Sequence, residues 1–151
     1  MPRAISISSF RQRISELFSE AVWQGHLVEI ARRRERAFLV GLAQLKRLLE
    51  PVSFQPEVIA EEGAVSIWLP ELELWGRGES FAEAKADLVF EVRDYVEEYL
   101  DESERYLAAP NRAQHFPAVV RAHLADLTGN LDDVLFAAPR TEAPIREPVP
   151  A

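Results

Sequence analysis

Cysteine is absent from this chain, so no disulfide framework, thiolate nucleophile or cysteine-based zinc site can form. Histidine is scarce: His26, His115 and His123 are the three present, and none has the i, i+4 spacing of a metal-binding helix. The six glycines build neither a Gly-x-Ser-x-Gly elbow nor a phosphate-cradling loop. Paired carboxylates such as Glu61 and Glu62 are too common in an acidic chain to mark a catalytic site. No apolar run approaches the roughly 18 residues of a membrane span. The opening Met1-Pro2-Arg3-Ala4-Ile5-Ser6 lacks the long apolar stretch of a secretory signal. These absences lead to the expectation of a cytoplasmic, non-enzymatic protein with no cofactor, no metal and no membrane partner.

What is present is enough apolar material for a core, 48% of 151 residues, in one ordinary domain or two very small ones. The net charge of −8 hides a division. Residues 1–50 hold nine Lys and Arg against five Asp and Glu, a balance of +4. Residues 51–151 hold eight against twenty, a balance of −12. A basic segment can neutralise phosphates, and an acidic one suits a basic protein partner. Solvation of helix faces is the plainer reading of the acidic part.

In the first fifty residues, Ala4 to Ser8 alternate apolar and polar side chains, as a short strand does. Ser9 and Gln12 have capping-box spacing, and Phe10, Ile14, Leu17, Phe18, Ala21 and Val22 follow at helical spacing up to Gly25. Leu27 to Ala31 and Ala37 to Gly41 read as strands joined by Arg32-Arg33-Arg34-Glu35-Arg36. A second helix, Ala43 to Glu50, turns Leu45, Leu48 and Leu49 inward and stops at Pro51. The order is β-α-β-β-α. Fifty residues bury too little surface to be comfortable alone, which points to dimerisation, and a dimer would match a two-fold symmetric DNA site.

The runs Ile5-Ser6-Ile7-Ser8-Ser9-Phe10-Arg11, Leu17-Phe18, Leu27-Val28-Glu29-Ile30-Ala31-Arg32-Arg33, Ala37-Phe38-Leu39-Val40 and Leu45-Lys46-Arg47-Leu48-Leu49-Glu50 resemble the prevent-host-death (Phd/YefM) antitoxin family over residues 4–50. That resemblance implies a dimerisation domain that binds operator DNA and represses its own genes. Its basic contacts map to Arg11 at the start of the first helix and to Arg32 and Arg33 of the hairpin, and Ser9 beside Arg11 is a further candidate DNA contact. Charge and proximity add Arg3, Arg13 and Arg34. Where the family has a hairpin glycine this chain has Arg34 and Glu35, so a longer or differently shaped turn is expected. A solvated turn tip that binds nothing is the competing reading of these arginines.

In the middle segment, Val52 to Glu62 reads as a strand broken by Pro56, Ala64 to Leu69 as a second, and Glu71 to Trp75 as a third, followed by a Gly76-Arg77-Gly78 loop. Ser80 and Glu83 form a capping box that opens a helix to about Leu107, with Phe81, Ala84, Leu88, Val92, Tyr95, Val96 and Tyr99 on one face. Trp68 and Trp75 are read as core or dimer residues. Gly78-Glu79-Ser80-Phe81-Ala82-Glu83-Ala84, with the Gly63 turn and Leu69-Pro70-Glu71-Leu72, looks like a HicB-type antitoxin module over residues 53–100. Ser80 replaces the usual threonine, and Glu73-Leu74 replaces a second Pro-Gly. The resemblance implies that this sheet and helix grip or shield a toxin.

Glu91 and Glu98 are candidate toxin contacts on the acidic side of the long helix. A helix from Phe116 to Leu127, with Pro117 in its first turn and Gly129 beyond its end, precedes the apolar patch Leu131, Val134, Leu135, Phe136. Leu131, Leu135 and Phe136 are candidate toxin contacts too, packing on the same chain being the alternative. Four prolines after Ala137 predict disorder to residue 151. The expectation is an α+β chain in four parts: a Phd/YefM-like domain (1–50), a HicB-like antiparallel sheet with a long helix (51–108), a helical toxin-binding or packing segment (109–136) and a Pro-rich tail (137–151). It would act as the antitoxin of a type II toxin–antitoxin system, with a cognate toxin, operator DNA and a homodimer or higher even oligomer as partners. The alternative is a transcriptional repressor with a C-terminal sensing or interaction module and no toxin.

Overall fold

The structure, a computed structural model, describes residues 4–137. Arg3 and tail residues 138–151 lie outside the described residues. The chain divides into two compact units between Pro51 and Val52.

The first unit contains β1 (Ile5–Ser6), α1 (Ile7–Gln12), α2 (Ile14–Trp23), β2 (Val28–Arg32), β3 (Glu35–Leu39) and α3 (Leu42–Leu49). The β-α-β-β-α order appears with its first helix split in two. The strand stops two residues earlier than the alternation suggested. Ser6, not Ser9, is the cap: its hydroxyl accepts the Ser9 N–H at 3.2 Å, so the helix starts at Ile7 and the Ser9–Gln12 box does not form. The helix breaks at Arg13, whose φ of −116° and ψ of 20° leave the helical region. At the far end Gln24 closes α2 and Gly25 takes a φ of 70°, where a side chain would be strained.

The sheet order is β1-β2-β3, with β1 parallel to β2 and β3 antiparallel to it. The expected five-residue arginine loop is in fact a tight turn of two. Arg32 pairs with Glu35, and Arg33 takes a φ of 56° in place of glycine. Among the described residues Leu17, Ala21 and Val28 form the buried core of this unit, with Ile5, Phe10, Ile30 and Leu39 half-buried around it. Leu48, expected inward, is 66% exposed, and no residue of α3 is buried.

The second unit contains β4 (Glu57–Glu61), β5 (Ala64–Leu69), β6 (Leu74–Gly78), α4 (Phe81–Asp101), α5 (Ser103–Ala108), α6 (Pro110–Ala113), α7 (Phe116–Leu127) and α8 (Leu131–Leu135). Its sheet is an antiparallel meander, β4-β5-β6. Gly76 and Gly78 belong to β6 rather than to a loop. A Cβ at either would collide with α4, on the Ala84 carbonyl and Leu88 at Gly76 and on Glu83 and Ala84 at Gly78. The glycines let strand and helix meet at backbone distance. Ser80 caps α4, accepting the Glu83 N–H at 3.2 Å, while the Glu83 carboxylate accepts the Glu79 N–H at 2.8 Å. The long helix ends at Asp101 instead of Leu107, because Glu102 (φ −114°, ψ 36°) interrupts it before α5.

Ala84, Leu88, Val92, Tyr95, Val96 and Tyr99 are buried as the spacing indicated, whereas Phe81 is exposed and Val89 joins the core. Helix α7 ends in a Schellman closure: Gly129 has a φ of 74°, its N–H reaches the Asp126 carbonyl at 3.1 Å, and the Asn130 N–H reaches that of Ala125 at 2.9 Å. This turns the chain so that Leu131 and Leu135 return into the core formed by Phe54, Ile67, Leu69, Leu88, Val92 and Val119.

Candidate binding surfaces

Parallel β1 and β2 run toward the same end of their sheet, since Ser6 stands opposite Ala31. The start of α1 and the Arg33–Arg34 turn therefore share that end. Arg32 is held by Glu35 at 2.5 Å and Arg36 by Glu29 at 3.3 Å. Arg36 also donates to the carbonyls of Arg33 and Glu35, at 3.0 and 3.1 Å, which braces the turn. Arg13 pairs with Glu16 at 2.9 Å, and the hydrogen bond between them holds the Glu16 carboxyl below its ordinary range and the Arg13 guanidinium above. Among the described residues, Arg11, Arg33 and Arg34 have no carboxylate partner within ion-pair distance. Ser9 is half-buried, its hydroxyl accepting that of Ser6 at 3.1 Å. The predicted basic residues thus separate into those neutralised by their own chain (Arg13, Arg32) and those that are not.

The same unit leaves large apolar side chains uncovered. Ile14, Phe18 and Val22 form an i, i+4 stripe on α2, Phe18 being 56% exposed, and Trp23 next to it is 84% exposed. Phe38, Leu42 and Leu48 are exposed as well.

In the second unit Glu98 is exposed and Glu91 half-buried along α4. A cleft of about 490 Å³ opens between α4 and α7, floored by Val92, Val96 and Leu131 and rimmed by Glu97, Asp101 and Asp126. Arg93 bridges it, bonded to Asp126 at 2.9 Å. Leu131 and Leu135 are buried and so are not offered to a partner in this conformation; of the two packing alternatives for this segment, the structure takes packing on its own chain. Phe136 is half-buried, edge-on to Phe81 with centroids 6.0 Å apart and with Lys85 4.9 Å over its ring.

One cluster has no sequence signal. His115, 3% exposed, lies with Nδ1 2.7 Å from the Tyr95 hydroxyl and Nε2 3.0 Å from the Glu73 carboxylate. A carboxylate only accepts, so Nε2 carries the proton, and in the neutral ring Nδ1 accepts from Tyr95. Glu73 occupies the left-handed region at φ 53°, a backbone conformation that side chains rarely adopt. Tyr99 donates to the Arg112 carbonyl at 2.9 Å and stacks on Tyr106 with centroids 4.7 Å apart. These residues are up to 42 positions apart, so only the fold reveals the network. On the outer face of the sheet Trp68 and Trp75 pair at 4.8 Å, half-buried and exposed respectively, with Arg77 5.5 Å over Trp75. No group of three or more metal-ligating side chains occurs among the described residues, and no described helix is long and apolar enough to cross a membrane.

No curated protein matches the chain. A crystal structure assigned as the antitoxin part of a toxin/antitoxin system, from Syntrophomonas wolfei subsp. wolfei, superposes with a TM-score of 0.77 at 22% identity, covering 88% of this chain and 94% of that one. At that identity the likeness establishes the fold alone, a mixed α+β arrangement with two small sheets. A family model described as PHD_like, antitoxin of toxin-antitoxin, RelE / RelB, TA system, matches residues 1–136. The match spans both units and nearly the whole chain, so this protein belongs to that antitoxin family.

Proposed function

We propose that this antitoxin neutralises a protein toxin by direct binding through its second unit and represses its own operon by binding operator DNA as a dimer of its first. The first unit is of the Phd/YefM type and the second HicB-like, in a non-catalytic, cytoplasmic protein. The observation that carries the DNA half is the turn of β2 and β3, where Arg33 and Arg34 project with no acidic partner among the described residues. Arg11 on α1 is unpaired in the same sense, so three of the predicted contact residues keep a free cation for phosphates among the described residues. Arg32 and Arg13 would have to exchange their own glutamates for phosphate.

Dimerisation is supported by the thinness of a core of three buried side chains beside an exposed stripe of Ile14, Phe18 and Val22. Covering that stripe removes apolar surface from water, at roughly 25 cal/mol per Å². The toxin half is supported by the −12 balance of residues 51–151 and by the acidic rim of the cleft. A toxin that acts on RNA must be basic enough to hold a polyanion, and acidic surface competes for the same groups.

The test is twofold. Arg11→Ala, Arg32→Ala and Arg33→Ala together are expected to abolish binding to the DNA upstream of the gene while still relieving growth arrest by the product of the adjacent reading frame. Loss of both activities with the circular dichroism unchanged overturns the division of labour. An adjacent product that arrests nothing overturns the toxin half.

A further inference from the structure

The two edges of the second unit's sheet are treated differently. Ser66 lies between Ile59 of β4 and Arg77 of β6. The Arg77 N–H points away from the sheet, because it donates to the Asp87 carboxylate of α4 at 2.9 Å. Arg77 and Ser66 are therefore a non-bonded pair, and the backbone groups of Ser66 face Ile59. Antiparallel ladders alternate, so Glu57, Ile59 and Glu61 bond to β5 while Val58 and Ala60 aim their N–H and C=O groups outward. On β6 the helix satisfies the outward Arg77 amide. On β4 nothing does: β4 is the end strand, and the outward groups of Val58 and Ala60 have no backbone or side-chain partner among the described residues. All five residues of β4 are exposed, Val58 by 50% on one face and Ile59 by 43% on the other.

An open edge with apolar side chains on both faces is a template for another strand. The sequence Glu57-Val58-Ile59-Ala60-Glu61 says which strand. A second copy paired antiparallel over the whole strand would set Glu57 opposite Glu61 twice, and like charges directly opposite are destabilising. It would also bring together two units that are each strongly acidic. A strand with an apolar centre and Lys or Arg at both ends meets the same edge with two opposite-charge pairs. We propose that β4 is the strand by which the second unit takes up its toxin, adding a basic-flanked edge strand of the toxin to the β4-β5-β6 sheet; this rests on the toxin-binding reading above.

The experiment uses the full chain and the purified product of the adjacent reading frame, with amide exchange followed residue by residue by nuclear magnetic resonance. The Val58 and Ala60 amides exchange fast in the unbound chain and become protected in the complex, while Ile59 is protected in both. Glu57→Lys with Glu61→Lys weakens the complex by about tenfold, from two cross-strand pairs changed from attractive to repulsive, without shifting the melting temperature. Ala60→Pro, which removes an outward N–H and no ladder bond, weakens it too. A complex in which Val58 and Ala60 stay exposed, or one indifferent to charge reversal, overturns the edge pairing and leaves the toxin reading standing. Protection of both amides in the chain alone assigns the edge to a second copy and overturns the proposal. Failure of any complex to form overturns the toxin reading and this inference with it.

Discussion

Single side chains here do work that their neighbours in sequence do not share. Ser80 satisfies one of the amides that α4 leaves open at its start. Ser80→Ala is expected to cost about 1 kcal/mol, read as a lower urea midpoint with an unchanged slope. Gly76 is set by contact rather than by backbone angle, since its missing side chain admits the Ala84 carbonyl and Leu88. Gly76→Val should destabilise by about 1–3 kcal/mol through overpacking, whereas the same change at Gly63, whose ideal Cβ meets nothing, acts only through its φ of 73°. Comparing the two melting temperatures separates crowding from backbone strain. Arg33 is the converse case. It holds a left-handed conformation that glycine would occupy more easily, and it is retained with its charge exposed. That spelling hid the two-residue turn from sequence reasoning, because positive φ is ordinarily signalled by Gly or Asn.

Between elements, packing decides roles that composition leaves open. Helix α8 carries two of the residues that the apolar patch offered as toxin contacts, yet Leu135 is fully buried beside Val92 and Val119. Leu135→Ala is expected to destabilise the second unit by about 2–5 kcal/mol, and any loss of toxin binding should follow the unfolding curve instead of preceding it. The chain's three tyrosines all belong to one cluster around α4 and α5, so their ultraviolet absorbance reports on that site alone. Burial pushes the Tyr99 hydroxyl up, with neighbouring Tyr95 adding to it; burial also raises Tyr106, helped by its hydrogen bond to Glu98. A folded-state pKa above the unfolded value gives stability that is complete below about pH 10 and is lost as pH rises through the folded value. Alkaline titration should therefore show Tyr99 and Tyr106 ionising late, with unfolding accompanying the rise. Ionisation of Tyr99 and Tyr106 at about pH 10 before any change in circular dichroism would contradict this.

For the whole molecule, the unequal division of core is the dominant fact. The second unit buries its apolar residues around α4, but the first leaves Phe18, Trp23, Phe38 and Leu48 in contact with water. If a second copy covers the α2 stripe, Phe18→Glu converts a sedimenting dimer to monomer, lowers thermal stability and weakens operator binding, since two half-sites are no longer presented together. A wild-type chain that sediments as a monomer at micromolar concentration and still binds its operator would sink the dimer.

The sequence by itself determined the alternation of strands and helices, the long amphipathic α4, the closure at Gly129 and the split between a basic and an acidic part, because periodicity, caps and charge are local or additive. It also carried the antitoxin assignment, through short strings such as Gly78-Glu79-Ser80-Phe81-Ala82-Glu83-Ala84, whose cap forms as its spacing indicated. Only tertiary structure decided which apolar stripes are covered, since Leu135 and Leu48 look alike in sequence and end on opposite sides of burial. It decided which arginines keep their charge unpaired, because ion pairs such as Arg36–Glu29 cross a strand boundary. It also joined Glu73, Tyr95 and His115, and it left β4 as the open edge while α4 closed β6. Contacts between residues distant in sequence depend on how elements meet, and no local pattern encodes that meeting.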